Sequence, residues 1–198
     1  RQGRGWESPA GNLYISVLLR PAVPLRDAPQ WSFVAAVALA ETLNGLLPEA
    51  SKLSLKWPND LLLQGAKAAG ILVETGIAPS HALDWICIGI GVNIRSKPNL
   101  PDRPTACLAE YSAAPPAPEA LAQSLLVSLA YWHGVRLQQG FAPIREAWLR
   151  HAPAMGAPIS LKRDGALLEG AFAGLSPEGG LLLAKGREVQ LILAGEII

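Results

Sequence analysis

The chain has 198 residues, half of them apolar and only 17% charged, with a mean hydropathy of +0.24. Lysine and arginine total 17 against 16 acidic residues, a net charge of +1. That balance excludes a disordered chain, which needs low hydrophobicity, and a generally basic nucleic-acid binder, which needs a cationic surplus.

From the N-terminus, residues 12–19 set Leu13, Ile15, Val17 and Leu19 on one face at period two, which predicts a strand closed by Arg20-Pro21. From Trp31 the period changes. Trp31, Val34, Ala35, Ala38, Thr42, Leu43 and Leu46 make one helical stripe, with Leu47-Pro48 as its stop. Strands follow over 53–57 and 61–63, then a Gln64-Gly65 turn and a strand over 69–75. Residues 84–94 read as a further strand, with Ile86, Ile88, Ile90, Val92 and Ile94 on one face. Its other face carries Gly89 and Gly91, where a group can approach the backbone closely. The same strand could offer an edge to a second copy, giving a homodimer.

A Pro-rich loop (97–104) and the segment Ala113–Pro118 lead to a helix opened by Pro118-Glu119 and running to about Gln139. Leu121, Leu125, Leu129 and Trp132 mark its apolar side; Gly140 ends it, and 143–150 reads as a short second helix. Past His151 come short β-like pieces at 159–162, 167–175, 181–184 and 188–193, separated by glycine-containing turns. Such pieces predict a small barrel of its own, so the expected domains are 1–152 and 153–198.

Cys87 lies in an apolar run and reads as buried, and Cys107 sits in the Pro-rich connection; two such cysteines suit a reducing compartment. The opening Arg1-Gln2-Gly3-Arg4-Gly5-Trp6 has no apolar core of a signal peptide, and no apolar run is long enough to span a bilayer. A cytoplasmic protein with no membrane partner is expected.

Walker A, His-Glu-x-x-His, Cys-x-x-Cys and Gly-x-Ser-x-Gly patterns do not occur. His81, His133 and His151 share no metal-ligand spacing, so no protein metal site is expected. Gly89-Ile90-Gly91 fails as a dinucleotide fingerprint because no helix follows it. Three segments remain. Arg1-Gln2-Gly3-Arg4-Gly5-Trp6 interleaves guanidiniums with glycines that let a backbone wrap an anion, and ends in a stacking indole. Lys56-Trp57-Pro58-Asn59-Asp60 ends a strand in a turn. Lys67 opens a buried strand, with Gly70 three places on. Taken singly, these are also a basic terminus, a turn and an edge lysine.

In this order the segments resemble the biotin protein ligases. The family pattern Gly-Arg-Gly-Arg-x-Gly-Arg-x-Trp, then Ser-Pro-x-Gly before a strand, is matched in its second half by residues 1–6 and by Ser8-Pro9-Ala10-Gly11-Asn12-Leu13. Its Lys-Trp-Pro-Asn-Asp stands at 56–60, its Lys-x-x-Gly-Ile-Leu at 67–72, its Gly-x-Gly-x-Asn at 89–93 and its Gly-Glu-Ile at 195–197. The resemblance implies an α+β fold: a class II synthetase-like mixed sheet flanked by helices, followed by a small SH3-like β-barrel.

It also implies roles. Lys67 would reach the biotin carboxylate and the acyl phosphate made from it, with Arg1 and Gly70 in the biotin site. Arg4 would face the nucleotide phosphates and Trp6 the adenine, with Lys56, Asn59 and Asn93 near the nucleotide. Asp60 would stand where the acceptor lysine arrives, orienting its ammonium. Joining a carboxylate to the α-phosphate of ATP presses anions together, so fixed cations (Arg1, Arg4, Lys56, Lys67) and Mg²⁺ suit the step. The implied product is a biotinylated lysine on a biotin carboxyl carrier protein or domain of acetyl-CoA carboxylase; DNA binding has no support in this sequence. A lipoate or octanoyl ligase-type acyltransferase and a non-catalytic carboxylase-docking relative are the rival readings. The family's upstream Ser-Thr-Asn contact to the ureido ring and its first Gly-Arg-Gly are not in the sequence. The expectation is therefore a fragment that binds biotin poorly by itself.

Overall fold

The alternating apolar segments of the first half pair into one sheet, and the computed structural model describes residues 8–101, 103–163 and 165–197. Its strands are β1 (Leu13–Leu19), β2 (Leu53–Lys56), β3 (Asp60–Leu63), β4 (Ala66–Ile77) and β5 (Leu83–Val92), in the order β1-β5-β4-β3-β2. Every ladder among them is antiparallel, and a single parallel bridge joins Lys67 to Thr105. Gln64 and Gly65, at φ of +52° and +80°, make the tight mirror-image turn that suits the twist of β3 and β4. The strand over 84–94 does not offer an edge: β5 pairs with β1 on one side and β4 on the other, so its backbone groups are spent.

Period-two alternation gives the sheet a covered and an open face. Leu13, Ile71, Ile86, Ile88, Ile90 and Val92 are buried on the covered face, with Ile15, Val17 and Val73 packed beside them. Cys87 falls on the open face and is half-buried, because alternation sets it opposite Ile86 and Ile88.

The covered face carries α1 (Gln30–Asn44) and α2 (Pro118–Gln139), and α3 (Ala142–Leu149) packs against both helices. α1 is buried nearly all round rather than along one stripe, from Gln30 to Ala40 and again at Leu43. It lies between the sheet and α2, and its small residues Ala35, Ala36, Ala38 and Ala40 let both neighbours come close. It stops at Asn44, short of the expected Leu47-Pro48. Leu46 and Leu47 donate to Leu43 in a tightened last turn, and Leu46 is 42% exposed. α2 buries Leu121, Leu125, Leu129 and Trp132 as its spacing predicts.

The C-terminal segment forms a second antiparallel sheet of β6 (Pro158–Arg163), β7 (Ala166–Leu175), β8 (Leu181–Lys185), β9 (Glu188–Ile192) and β10 (Glu196–Ile197), in the order β10-β6-β7-β8-β9. Ile159, Leu161, Phe172, Leu175, Leu181, Leu183, Ile192 and Ile197 are its buried large apolar residues. Among the described residues no helix is long and apolar enough to cross a membrane.

Candidate active site

The register lines up the open face in rows. Tyr14, Gly91, Gly70 and Asp60 stand side by side on β1, β5, β4 and β3; Ser16, Gly89 and Leu72 form the next row, and Leu18, Cys87 and Glu74 the one after. Gly91 and Gly70 thus leave bare backbone between Tyr14 and Asp60, on strands about 14 Å apart at about 4.8 Å per strand, and Gly89 extends it into the next row. Leu72, 41% exposed, and Leu18, 61% exposed, stand beyond that floor.

Lys67 reaches this face through a β-bulge. Strict alternation from Gly70 would turn Lys67 toward the helices. β4 instead spends one extra residue, Ala68, between the pairs Leu61–Ala69 and Leu62–Lys67, which shifts the phase by one. The Lys67 ammonium then meets Asp60 Oδ1 at 2.5 Å. A Cβ on Gly70 would lie 3.3 Å from Lys67 Cε and Nζ, so the glycine is the space the lysine occupies. The Lys67 backbone is held too: its N–H donates to Pro104 O (3.0 Å), and its carbonyl accepts from Ala106 N–H (2.8 Å).

Asp60 is 7% exposed, and its other oxygen lies 3.7 Å from Lys56 Nζ. Two ammoniums around one buried carboxylate leave a positive balance, which suits an incoming anion. Lys56 faces the second sheet as well, donating to Ile197 O at 3.1 Å. Burial holds its ammonium below the ordinary lysine range, helped by Lys67 and Arg103 and opposed by Asp60 and Glu196.

The two asparagines singled out in the sequence brace the backbone. Asn59 Nδ2 donates to Ile71 O at 2.6 Å, and Ile71 N–H returns a bond to Asn59 O. Asn93 Nδ2 donates to Ala106 O at 3.0 Å and to Lys67 O at 3.5 Å. The structure thus brings together Lys56, Asp60, Lys67, Gly70 and Asn93, with Asn59 next to Asp60 in the chain; Arg1, Arg4 and Trp6 lie outside the described residues. Sequence reasoning missed Trp57 and Arg103. Trp57 Nε1 donates to Gly179 O at 3.1 Å, and Arg103 pairs with Glu196 at 2.7 Å. Their partners lie in the β7–β8 turn and on β10, and no local pattern points that far.

Residues 1–93 match the Biotin/lipoate A/B protein ligase family. A "Biotin--[acetyl-CoA-carboxylase] ligase" of Paracoccus denitrificans is 38% identical over 209 residues, an alignment covering this whole chain and 84% of that protein. The chain belongs to the biotin protein ligase family. The "Bifunctional ligase/repressor BirA" of Bacillus subtilis is 31% identical, and the chain spans 61% of its length. Among solved structures, a biotin protein ligase from Aquifex aeolicus in complex with biotin and ATP superimposes with a TM-score of 0.82 at 26% identity. That match covers all of this chain and 82% of the other. The fold of this family member is therefore that of the ligases.

Proposed function

We propose that this chain activates biotin with ATP and transfers it to a lysine of a biotin carboxyl carrier domain. The observation that carries the reading is the pair of half-buried Lys67 with buried Asp60 at the end of a glycine-floored row, in a chain of this family. In the first step a biotin carboxylate oxygen attacks the α-phosphorus of ATP, pyrophosphate leaves, and biotinyl-5′-AMP forms. In the second, the neutral amine of the carrier lysine attacks the acyl carbonyl and forms the amide; AMP leaves and the amine's extra proton is released.

Lys67 supplies a fixed positive charge to the carboxylate and then to the acyl phosphate, whose negative charge grows as each bond forms. Asp60 holds that ammonium in place, and it is the nearest carboxylate to orient an arriving ammonium. Lys56, Asn59 and Asn93 serve the nucleotide side together with Arg4 and Trp6, and Arg1 serves the biotin side with Gly70. Mg²⁺, as the companion of the ATP phosphates, would add to the positive charge that Lys67 and Lys56 supply. A carrier domain is the partner this chemistry requires, and a homodimer is not needed for it. The free thiols of Cys87 and Cys107 suit a cytoplasmic site.

The test, on the full-length protein, is biotin-dependent exchange of labelled pyrophosphate into ATP, followed by mass measurement of a carrier domain. Exchange with biotin, none with lipoate and a gain of one biotin on the carrier are expected. Lys67→Ala should lower kcat/KM for biotin by about a hundredfold or more, about 2.7 kcal/mol at about 1.4 kcal/mol per decade. Folded protein with no exchange, or equal exchange with lipoate, would sink the reading.

A further inference from the structure

Asn12 precedes β1, is 7% exposed, and has both ends of its side-chain amide bonded. Its Oδ1 accepts the N–H groups of Ile94 (2.9 Å), Arg95 (2.9 Å) and Ser96 (3.2 Å). Its Nδ2 donates to Ser96 O (2.9 Å), Ser96 Oγ (3.3 Å) and the Tyr14 hydroxyl (3.2 Å). Gly11 makes this approach feasible: at φ +88°, a Cβ there would be strained and 3.1 Å from Arg95 Cγ.

Those bonds end on two walls of the site. Tyr14 heads the row Tyr14–Gly91–Gly70–Asp60, so Asn12 fixes the wall opposite Lys67. The segment Ile94–Ser96 follows Asn93, whose amide braces Lys67 O and Ala106 O. Leu108 and Ala109 donate in turn to the Asn93 and Ile94 carbonyls. Residues 93–96 are thus gripped by Asn12 from one side. From the other they are gripped by the stretch that carries the backbone partners of Lys67.

We propose that Asn12 is a positioning residue of this site. It sets the spacing between the Tyr14 wall and the Lys67 wall, and so the affinity for the carboxylate substrate. The inference rests on the ligase reading above. Asn12 acts through Tyr14 and through the backbone of 94–96, and no reacting atom is assigned to it.

The experiment is pyrophosphate exchange against biotin concentration for the full chain and for Asn12→Ala, Asn12→Asp and Tyr14→Phe, with thermal melts in parallel. Asn12→Ala should raise KM for biotin about tenfold or more with kcat within about threefold. Asn12→Asp keeps the oxygen that accepts three N–H groups but faces Ser96 O with an acceptor, so its KM should lie between those of wild type and Asn12→Ala. Tyr14→Phe removes only the hydroxyl and should raise KM without lowering Tm. KM is read on whatever fraction is folded, so a purely structural role predicts lower Tm and unchanged KM. That result in Asn12→Asp and Tyr14→Phe overturns the inference, even if Asn12→Ala does not fold. Loss of exchange in the wild type overturns the ligase reading itself and is seen before any variant is compared.

Discussion

A methyl group on Gly70 would stand 3.3 Å from Nζ of Lys67 and 3.7 Å from Oδ1 of Asp60. The neighbour is the far end of a flexible side chain, so Gly70→Ala should displace the ammonium and leave the backbone where it is. The expected result is a stability change within about 1 kcal/mol and a loss of about tenfold in kcat/KM for biotin. Urea denaturation and exchange kinetics on one preparation check both halves; equal activity would show that Lys67 does not need its observed place. Away from the site, Trp31 Nε1 donates to His133 Nδ1 at 3.1 Å, so protonating that nitrogen sets a hydrogen against a donor. Burial holds the His133 ring below its ordinary 6.5. His151 is lowered likewise by burial and Arg150, against Glu41. As pH falls through about 6.5 the unfolded chain takes up protons first, so stability falls until the folded rings titrate and then levels off. Tm should therefore drop between about pH 7.5 and pH 5.5, and His133→Gln should flatten the drop; an unchanged slope would remove His133 from the account. Lys67, Asp60 and Gly70 stand out in the sequence through the short family patterns that hold them, while their meeting on one face depends on the pairing of β3 with β4. The bracing by Asn12 was not legible: apart from Tyr14, its amide partners lie 82 to 84 residues away.

Among the elements, β1, β5 and the apolar side of α2 could be read from period alone, because each buries one face. α1 could not. Its stripe is real, but α2 covers the opposite side, and a periodicity argument cannot anticipate the second neighbour. The bulge at Ala68 is hidden for a related reason: alternation assumes one residue per step, and only the pairing with β3 shows the extra one. The turn from Ser176 to Gly180 joins the layers, and the sequence shows it only as a Pro-Gly break. Ser176 Oγ accepts from Gly180 N–H at 3.1 Å, Trp57 Nε1 donates to Gly179 O, and Gly179 sits at φ +98°. A Cβ at Gly179 would come within 3.1 Å of the Phe33 ring and 3.3 Å of Phe141, two rings packed edge to face at 5.4 Å. Gly179→Ala should therefore cost about 2–3 kcal/mol, from a strained backbone and an overfilled junction together. A shift in the urea midpoint of the size that about 0.5 kcal/mol produces would contradict this.

Across the whole molecule, the two sheets are joined at the site. Lys56 donates to Ile197 O, Arg103 pairs with Glu196, and Trp57 reaches Gly179 O. Farther out, Arg145 Nε donates to Leu175 O at 2.9 Å, and Leu55 N–H donates to His151 O at 2.8 Å. The first two links end on β10, and each is one step from Lys67. Lys56 shares Asp60 with it, and Arg103 precedes Pro104, whose carbonyl takes the Lys67 N–H. The last strand of the chain thus braces the reactive lysine from the side of its carboxylate and from the side of its backbone. Glu196 is partly exposed, and such a pair is worth only about 0–1 kcal/mol to folding. Its effect on activity should be larger than that, because a small displacement of a charged group near a reacting centre lowers rate steeply. Glu196→Ala should lower kcat for pyrophosphate exchange about five- to tenfold while Tm moves by only a few degrees. Gly195→Ala is the contrasting variant. At φ +155° its Cβ would press on Leu161 at 3.1 Å, inside the second sheet, so its main effect should be on stability. If Glu196→Ala leaves kcat unchanged, or if both variants lose activity only in proportion to lost folded protein, β10 is a structural strand and does not position Lys67.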